Sequence, residues 1–244
     1  MKLYYDFHTH SCLSPCGDND MTPYNLVNMS KLLGLDIIAL TDHNTCENCA
    51  SAIKAGQSIG LTVIPGMELC TSEEVHVVCL FPDVENAEKF SDYVLSTMPP
   101  VKNRPDIFGE QLIMDEYDNV IGSQEKLLTM ASSISISGIF ALVESYGGVC
   151  YPAHIDRSSY SVLSNLGMIT EDMGFNAVEM TSEADREALI KMHPILDGVQ
   201  VFVDSDAHYL ENLKDAKNTI EIPENSAKAV INYIKNLPKM KERI

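Results

Sequence analysis

The sequence predicts an α/β fold with a largely parallel sheet. Apolar runs of four to eight residues, rich in β-branched side chains, alternate along the chain with amphipathic stretches of helical period. Such alternation is typical of strands that helices cover on both faces of a parallel sheet. A single barrel of this kind occupies roughly 250 residues, so we expect one domain over residues 1–244.

Seven strands and six helices follow from this pattern. The strands are predicted at residues 2–7, 36–41, 62–69, 75–81, 149–153, 177–180 and 199–203. The helices are predicted near residues 22–33, 47–59, 84–96, 138–146, 183–191 and 225–236. The first helix has the clearest start, because Thr22 suits the N-cap position and Pro23 suits the first helical position.

The segment at about 101–137 interrupts the alternation. Pro99, Pro100 and Pro105 stand near its beginning, and a turn rich in acidic residues and asparagine then separates two apolar pieces. This pattern predicts a hairpin, followed by a short helix and a serine-rich loop. We expect an insertion over one end of the sheet, either as a lid over the substrate or as a structural excursion without a catalytic role.

Composition limits the classes of partner. The formal net charge of −18 repels nucleic-acid backbones at long range, so no extended nucleic-acid surface is expected. The sequence has no run of about 18 or more apolar residues, so no membrane span is expected. The first residues do not have the pattern of a signal peptide. Seven cysteines, an odd number, indicate reduced thiols and a cytoplasmic location. The spacings Cys12–Cys16 and Cys46–Cys49 have no matching second pair, so we expect ordinary free thiols there.

Six of the seven histidines lie at or just beyond the ends of predicted strands. His8 and His10 are two residues apart on the first strand, so their side chains leave the same face and can bind one metal ion. Asp6 shares that face and is expected to orient an imidazole. His193 has no such context and is expected to be structural or exposed.

Acidic residues accompany the histidines at the same edge of the sheet. Asp42 and His43 follow the second strand. Glu68 ends the third strand, where a buried carboxylate needs a positive partner. His76 begins the fourth strand and, taken alone, also fits an ordinary core histidine. The carboxyl ends of parallel strands meet at one edge and bind ligands there, so these side chains are expected to converge.

The same pattern resumes late in the chain. His154 follows the fifth strand, with Arg157 three residues beyond it, and arginine suits bidentate binding of phosphate oxygens. Asp206 and His208 are two residues apart after the last strand. Five strand ends therefore contribute imidazole or carboxylate, a ligand chemistry that indicates zinc, manganese or iron.

Taken in order, these motifs resemble those of the PHP (polymerase and histidinol phosphatase) family of metal-dependent phosphoesterases. The matching motifs are Asp6-Phe7-His8-Thr9-His10, Thr41-Asp42-His43-Asn44, Pro65-Gly66-Met67-Glu68, His76, His154 and Ser205-Asp206-Ala207-His208. The resemblance implies a distorted (β/α)7 barrel, with a trinuclear site for two or three divalent ions at the C-terminal rim of the strands.

The resemblance also implies which residues bind each ion. The first ion would have the ligands His8, His10, Glu68 and Asp206. Glu68 would bridge to a second ion that has the further ligands His76 and His154. The third ion would have the ligands His43, His208 and one residue of the loop after the first strand. Asp18 matches that last position best, and Asp20 is the alternative.

The activity that the resemblance implies is hydrolysis of a phosphomonoester or a short phosphodiester by a metal-activated hydroxide, with Arg157 holding a phosphate oxygen. Expected substrates are a sugar, amino-alcohol or nucleotide phosphate, or the end of an oligonucleotide. A non-catalytic metal-binding or regulatory module is one alternative. An amidohydrolase-type hydrolase is another, although that superfamily usually has a carboxylated lysine where Glu68 stands here.

Overall fold

The computed structural model describes residues 1–241, in which the chain forms ten strands and eight α-helices. The strands are β1 (Lys2–Thr9), β2 (Ile37–Leu40), β3 (Thr62–Cys70), β4 (His76–Leu80), β5 (Leu112–Met114), β6 (Val120–Ser123), β7 (Val149–Pro152), β8 (Ala177–Glu179), β9 (Gln200–Phe202) and β10 (Thr219–Glu221). The helices are α1 (Pro23–Leu32), α2 (Cys49–Ile59), α3 (Val84–Thr97), α4 (Pro105–Phe108), α5 (Ile136–Ser145), α6 (Val162–Leu166), α7 (Arg186–Met192) and α8 (Ala227–Lys235).

Six strands form one curled sheet in the order β10, β1, β2, β3, β4 and β7, while β8 pairs with β9. Backbone hydrogen bonds join the two pieces at their carboxyl ends. The Ile155 N–H donates to the Glu179 carbonyl between β7 and β8 (2.9 Å), and the Asp206 N–H donates to the His8 carbonyl between the end of β9 and β1 (2.9 Å). These eight strands form an incomplete barrel, which confirms the predicted distorted (β/α) barrel fold; the seven predicted strands are all of them except β10.

The sheet is less parallel than the sequence predicts. Strands β1, β2 and β3 are parallel to one another, whereas β4 is antiparallel to both β3 and β7, and β10 is antiparallel to β1. The connection from β3 to β4 explains the reversal, because it consists of residues 71–75 alone. A parallel crossover needs roughly a dozen residues or more, so a link this short can only make a hairpin.

Aromatic side chains fill the interior of the barrel. Tyr5 stacks on Phe7 with ring centroids 4.5 Å apart, and Tyr151 contacts Phe202 at 4.9 Å. Helix α8 packs on this cluster, and a larger apolar cluster includes side chains of α1, α2, α3 and α5. Burial of each such large side chain contributes roughly 1.5–3 kcal/mol. The strand ends that carry the polar residues therefore rest on a well-packed core.

Helix α1 begins as predicted, since the Thr22 side chain accepts a hydrogen bond from the Asn25 N–H (3.1 Å). The insertion contains the predicted hairpin, β5–β6, but its short helix α4 precedes the hairpin instead of following it. Pro105, at the first turn of α4, starts that helix. The hairpin lies against the loop after β1, where the Leu112 N–H donates to the Cys12 carbonyl (3.0 Å).

Two further properties hold for the described residues. None of their helices has both the length and the apolar character that crossing a bilayer requires. All seven cysteines are free thiols, and Cys16 alone among them is exposed. The Cys46 thiol donates to the Gly66 carbonyl inside the core, as an ordinary buried cysteine would.

Candidate metal centre

Glu68, at the carboxyl end of β3, is the centre of a histidine cluster. Its side chain is 1% exposed. Its Oε1 atom lies 2.8 Å from His76 Nδ1 and 3.0 Å from His154 Nε2. Its Oε2 atom lies 3.0 Å from His43 Nδ1 and 3.3 Å from His10 Nε2. Its Oε1 atom also lies 3.4 Å from His8 Nε2. A single buried carboxylate therefore contacts five imidazoles, which come from the ends of four different strands.

The β1 histidines approach the same carboxylate together with Asp206. The Nε2 atoms of His8 and His10 are 3.1 Å apart, so both side chains leave one face of the strand. Asp206 Oδ1 lies 3.4 Å from His8 Nε2 and 3.1 Å from His10 Nε2. The His208 ring stacks on His10 with centroids 4.0 Å apart. Residues from β1, from β3 and from the segment that follows β9 thus form one compact site.

Within residues 1–241, three groups of side chains place their ligand atoms within 4.8 Å of one another and could each hold a metal ion. The groups are His8, His10, Glu68 and Asp206; His43, Glu68 and His76; and His10, His43 and His208. The first group equals the set that the family resemblance implies for the first ion.

The sequence-predicted loop ligands do not join these groups. Asp18 Oδ1 accepts a hydrogen bond from the Asp20 N–H (2.8 Å), and neither residue belongs to the three groups of the described chain. His193 lies outside the cluster as expected, at the C-cap of α7. Seven of the nine predicted metal ligands therefore belong to the three groups. His154 belongs to none of them but contacts Glu68 at 3.0 Å, and Asp18 belongs to none.

Buried atoms without partners test whether metal ions fit this cluster. Among the described residues, Glu68 Oε2, Asp206 Oδ1 and His154 Nδ1 are buried and have no hydrogen-bond partner. Each such group costs roughly 1–3 kcal/mol when it is left unsatisfied. An ion shared by the surrounding carboxylates and imidazoles would satisfy both oxygens, and this donor set suits zinc, manganese or iron. The residues therefore fit divalent metal ions.

The electrostatics of the cluster favour bound positive charge. Burial would lower the pKa of the His8 imidazole, but the carboxylates of Glu179, Asp206 and Glu68 raise it well above its ordinary value. Burial would raise the pKa of Glu68, but the imidazoles of His76, His8 and His43 hold it well below the usual range. Because protons and divalent cations compete for the same imidazole and carboxylate atoms, the cluster is suited to metal ions.

Glu179, at the end of β8, orients His8. Its Oε2 atom lies 2.7 Å from His8 Nδ1, and both side chains are buried. The sequence analysis gave this role to Asp6, which instead accepts backbone N–H bonds from Ser205 (3.1 Å) and His8 (3.4 Å). The signal for Glu179 was available, since a glutamate ends an apolar strand there just as Glu68 ends β3.

Ser14, in the loop after β1, is a second supporting residue that the sequence did not reveal. Its hydroxyl donates to Asp42 Oδ1 (2.7 Å) and lies 2.9 Å from His10 Nδ1. The Ser14 hydroxyl oxygen also accepts a hydrogen bond from the backbone N–H of His43 (3.2 Å). Asp42 also accepts the Ser11 N–H (2.7 Å). Asp42 thus fixes the loop, and Ser14 positions the two histidines.

Arg157 lies at the open side of the centre. Its guanidinium Nη1 pairs with Asp206 Oδ2 at 2.6 Å, and its side chain is 45% exposed. A groove of about 900 Å³ begins there, lined by both Arg157 and Asp206. Both signs of charge line this groove, which we call the rim groove. Its further cationic side chains are Arg186, Lys214 and Lys217, and its acidic side chains are Asp6, Glu179, Glu183, Asp204, Asp206 and Asp215.

An incomplete α/β barrel with a buried cluster of imidazoles and carboxylates at its carboxyl rim defines a class of proteins with a metal-binding site at that rim. Within this class, the family model of the PHP domain matches residues 6–161. That range extends from the second half of β1 to beyond β7 and includes Glu68, His76 and His154. The chain therefore belongs to the PHP domain family.

Several characterised proteins are similar to parts of this chain. The 5'-3' exoribonuclease Rnm of Salmonella typhimurium is 27% identical over 145 residues, which are 57% of this chain and 47% of that protein. The 5'-3' exoribonuclease of Haemophilus influenzae is 34% identical over 83 residues, which are 33% of this chain and 29% of that protein. The chain spans less than half the length of these curated relatives.

A solved structure shares the fold over nearly the whole chain. It is that of PfuEndoQ, a lesion-specific endonuclease from Pyrococcus furiosus, with a TM-score of 0.71 and 17% sequence identity. The similarity covers 98% of this chain and 57% of PfuEndoQ. At this identity the similarity concerns the fold alone.

Proposed function

We propose that the chain is a metal-dependent phosphoester hydrolase that works at a trinuclear site centred on Glu68. The observation that carries this proposal is the position of Glu68, a buried carboxylate 2.8–3.3 Å from nitrogen atoms of four histidines, with one oxygen that has no hydrogen-bond partner among the described residues. Membership of the PHP domain family supports it.

The ligands divide among three ions. His8, His10, Glu68 and Asp206 would hold the first, and Glu68 would bridge to a second held by His76 and His154. The third would be held by His43, His208 and a residue of the loop after β1. Zinc, manganese or iron ions bound there would lower the pKa of a water molecule and stabilise negative charge on the phosphoryl oxygens.

The protein side chains have separate tasks around these ions. Glu179 keeps the His8 ring in place and favours the tautomer whose Nε2 faces the cluster, because its carboxylate accepts the proton on Nδ1. Ser14 does the same for His10 through its Nδ1 contact. Arg157, half-exposed beside Asp206, would bind a phosphate oxygen and so orient the ester.

The size of the rim groove favours a nucleotide-sized substrate. Its volume of about 900 Å³ is large for a site that receives a phosphate alone. Its four cationic side chains lie among six carboxylates, so bound metal ions would have to supply the positive charge that a phosphate needs. Two sequence relatives are exoribonucleases. We therefore propose the end of a short single-stranded oligonucleotide as the substrate, with a small phosphomonoester as the second candidate.

A reloading experiment tests this proposal. The purified chain is stripped with a chelator, loaded separately with Mn²⁺, Zn²⁺ or Fe²⁺, and assayed on a short 5'-phosphorylated RNA, the 5'-hydroxyl RNA, a nucleoside monophosphate and a simple amide. Replacing His8 and His10 together by alanine should abolish both metal loading and hydrolysis. Glu88→Gln, which removes one exposed carboxylate on α3, should change neither.

The outcomes separate the alternatives. Hydrolysis of the RNA supports the preferred substrate, and hydrolysis of the monophosphate alone supports the small-molecule substrate. Metal-loaded protein that cleaves no phosphoester would indicate a regulatory metal-binding module. Cleavage of the amide alone would indicate an amidohydrolase-type enzyme. Full phosphoesterase activity in a metal-free double variant would refute the proposed mechanism.

A further inference from the structure

Tyr160 places an aromatic ring beside the histidine cluster. The ring stacks on the imidazole of His76, with centroids 4.7 Å apart and an angle of 26° between the two planes. His76 belongs, with His43 and Glu68, to one of the groups that could hold a metal ion. Tyr160 is nevertheless 47% exposed, although one face of its ring lies against His76. A flat aromatic surface therefore remains open to solvent next to the site.

The loop between β7 and α6, residues 153–161, holds this ring in place. The Tyr160 carbonyl accepts the backbone N–H of His76 (2.9 Å). The Arg157 N–H donates to the His154 carbonyl (2.9 Å), and the Arg157 carbonyl accepts the Ser161 hydroxyl (2.7 Å). One short loop thus fixes three groups relative to one another: an imidazole of the cluster, the guanidinium that would bind phosphate, and an aromatic ring.

The backbone of Tyr160 is strained. Its φ angle is 54°, in the left-handed region that bulky side chains rarely adopt. Glycine would adopt this conformation without strain, but it would remove the ring. Strained residues concentrate at active sites and at positions that contact ligands. A strained residue whose exposed ring borders a metal-binding cluster therefore points to a contact with the substrate.

Tyr160 and the rim groove give the site two separate surfaces. The groove begins at Arg157 and Asp206, and Tyr160 is not among the residues of the described chain that line it. The two surfaces adjoin different parts of the cluster, because Tyr160 contacts His76. A phosphodiester carries a nucleotide on each side of its phosphorus atom, whereas a phosphomonoester carries one. Two surfaces therefore fit a diester.

We propose that the Tyr160 ring stacks on a nucleobase next to the scissile phosphate, while the rim groove receives the nucleotide on the other side. This inference rests on the proposed phosphoester hydrolysis and specifies how its oligonucleotide substrate is bound. Every base has a π-face, so stacking provides affinity with little sequence preference. A chain with a net charge of −18 has no long-range attraction for a nucleic-acid backbone, so such a short-range contact is needed.

Kinetics on matched substrates test this role. Metal-loaded wild type, Tyr160→Leu and Tyr160→Phe are assayed on a short 5'-phosphorylated RNA and on two analogues, which lack the base on the 5' side or on the 3' side of the cleaved linkage. Tyr160→Leu should raise KM for the intact RNA by roughly tenfold. Its kcat should stay unchanged, because stacking stabilises the bound ground state and the transition state alike. Tyr160→Phe keeps the ring and should match wild type.

The two analogues identify the stacked base. One of them should have a raised KM in wild type, and Tyr160→Leu should raise that KM no further. Tyr4→Leu is the matched control, since Tyr4 is 40% exposed and lies at the end of β1 opposite His8. It should change neither KM nor kcat. Metal analysis and circular dichroism verify that each variant is loaded and folded.

Binding of a hydrolysis-resistant RNA gives a readout that does not depend on catalysis. Fluorescence anisotropy should show a Kd raised roughly tenfold in Tyr160→Leu for the intact analogue, and no change once the stacked base is removed.

The remaining outcomes contradict the stacking role. Equal KM and Kd values in wild type and Tyr160→Leu would overturn it, while phosphoester hydrolysis stands. A lower kcat or a lost ion in Tyr160→Leu, equal for all three RNAs, would show that the ring only supports His76. Hydrolysis of monophosphates alone would also overturn the stacking role and leave the phosphoesterase proposal intact. A wild-type chain that hydrolyses no phosphoester overturns both.

Discussion

Replacing Glu179 by glutamine should weaken metal binding at His8 by about tenfold. The Glu179 carboxylate lies 2.7 Å from His8 Nδ1, and both side chains are buried. A hydrogen bond to a charged group contributes about 1.5–3 kcal/mol, against about 0.5–1.5 kcal/mol for a neutral pair. Glutamine keeps an oxygen at this position but not the charge, so the loss is about 1–1.5 kcal/mol. That corresponds to roughly tenfold in affinity at about 1.4 kcal/mol per factor of ten.

The measurement is a competition titration. Stripped wild-type and Glu179→Gln proteins are titrated with Zn²⁺ in the presence of a fluorescent chelator, and the ions per chain are counted by mass spectrometry. The exposed Glu88→Gln variant is the matched control for charge. One class of ion should bind more weakly, while the ion at His76 and His154 keeps its affinity. Equal affinities in all three proteins would refute the assignment of Glu179.

Two further predictions concern Arg157 and Asp204. Arg157→Ala should lower kcat/KM for a phosphoester by roughly 10–100-fold, because one charge-assisted hydrogen bond to the substrate is lost, and the bound metal should be unchanged. Steady-state kinetics together with metal analysis measures both. Loss of an ion would instead show that Arg157 supports Asp206. Burial first, then the charges of Glu179 and Asp6, raise the pKa of Asp204 well above its usual range. The folded metal-free protein thus holds a proton that the unfolded chain has lost, so stability falls as pH rises above about 4. Asp204→Asn cannot ionise, so its Tm should fall less from about pH 5 to about pH 8, and parallel Tm curves would contradict this.

The sequence predicted the barrel strands and most of the cluster because both depend on simple rules. All seven predicted strands are present, since apolar runs of this length have few other stable arrangements. Glu68, His43 and Asp206 were found because each follows a strand, and strand ends meet at one rim. These inferences needed only the order of polar and apolar residues.

Other features depend on contacts that no local pattern records. One of them is β10, a three-residue strand whose partner is the distant β1. The antiparallel direction of β4, by contrast, could have been predicted, because only five residues separate the predicted strands 62–69 and 75–81. Ser14 lies in an irregular loop without periodicity, so its approach to His10 could only be read from the folded chain. Asp18 was chosen in the same loop from the order of the family motifs, which does not fix where a loop side chain lies.

Three residues of the rim adopt left-handed backbone angles: Asn44 (φ 54°), His154 (φ 30°) and Asp206 (φ 49°). A non-glycine residue in this region costs roughly 1–3 kcal/mol. Glycine at 154 or 206 would relax the backbone but would remove a side chain of the cluster, since His154 contacts Glu68 and Asp206 contacts His10. The proposed metal site therefore requires at these two positions side chains that the backbone conformation disfavours, so local stability and ligand placement are opposed there.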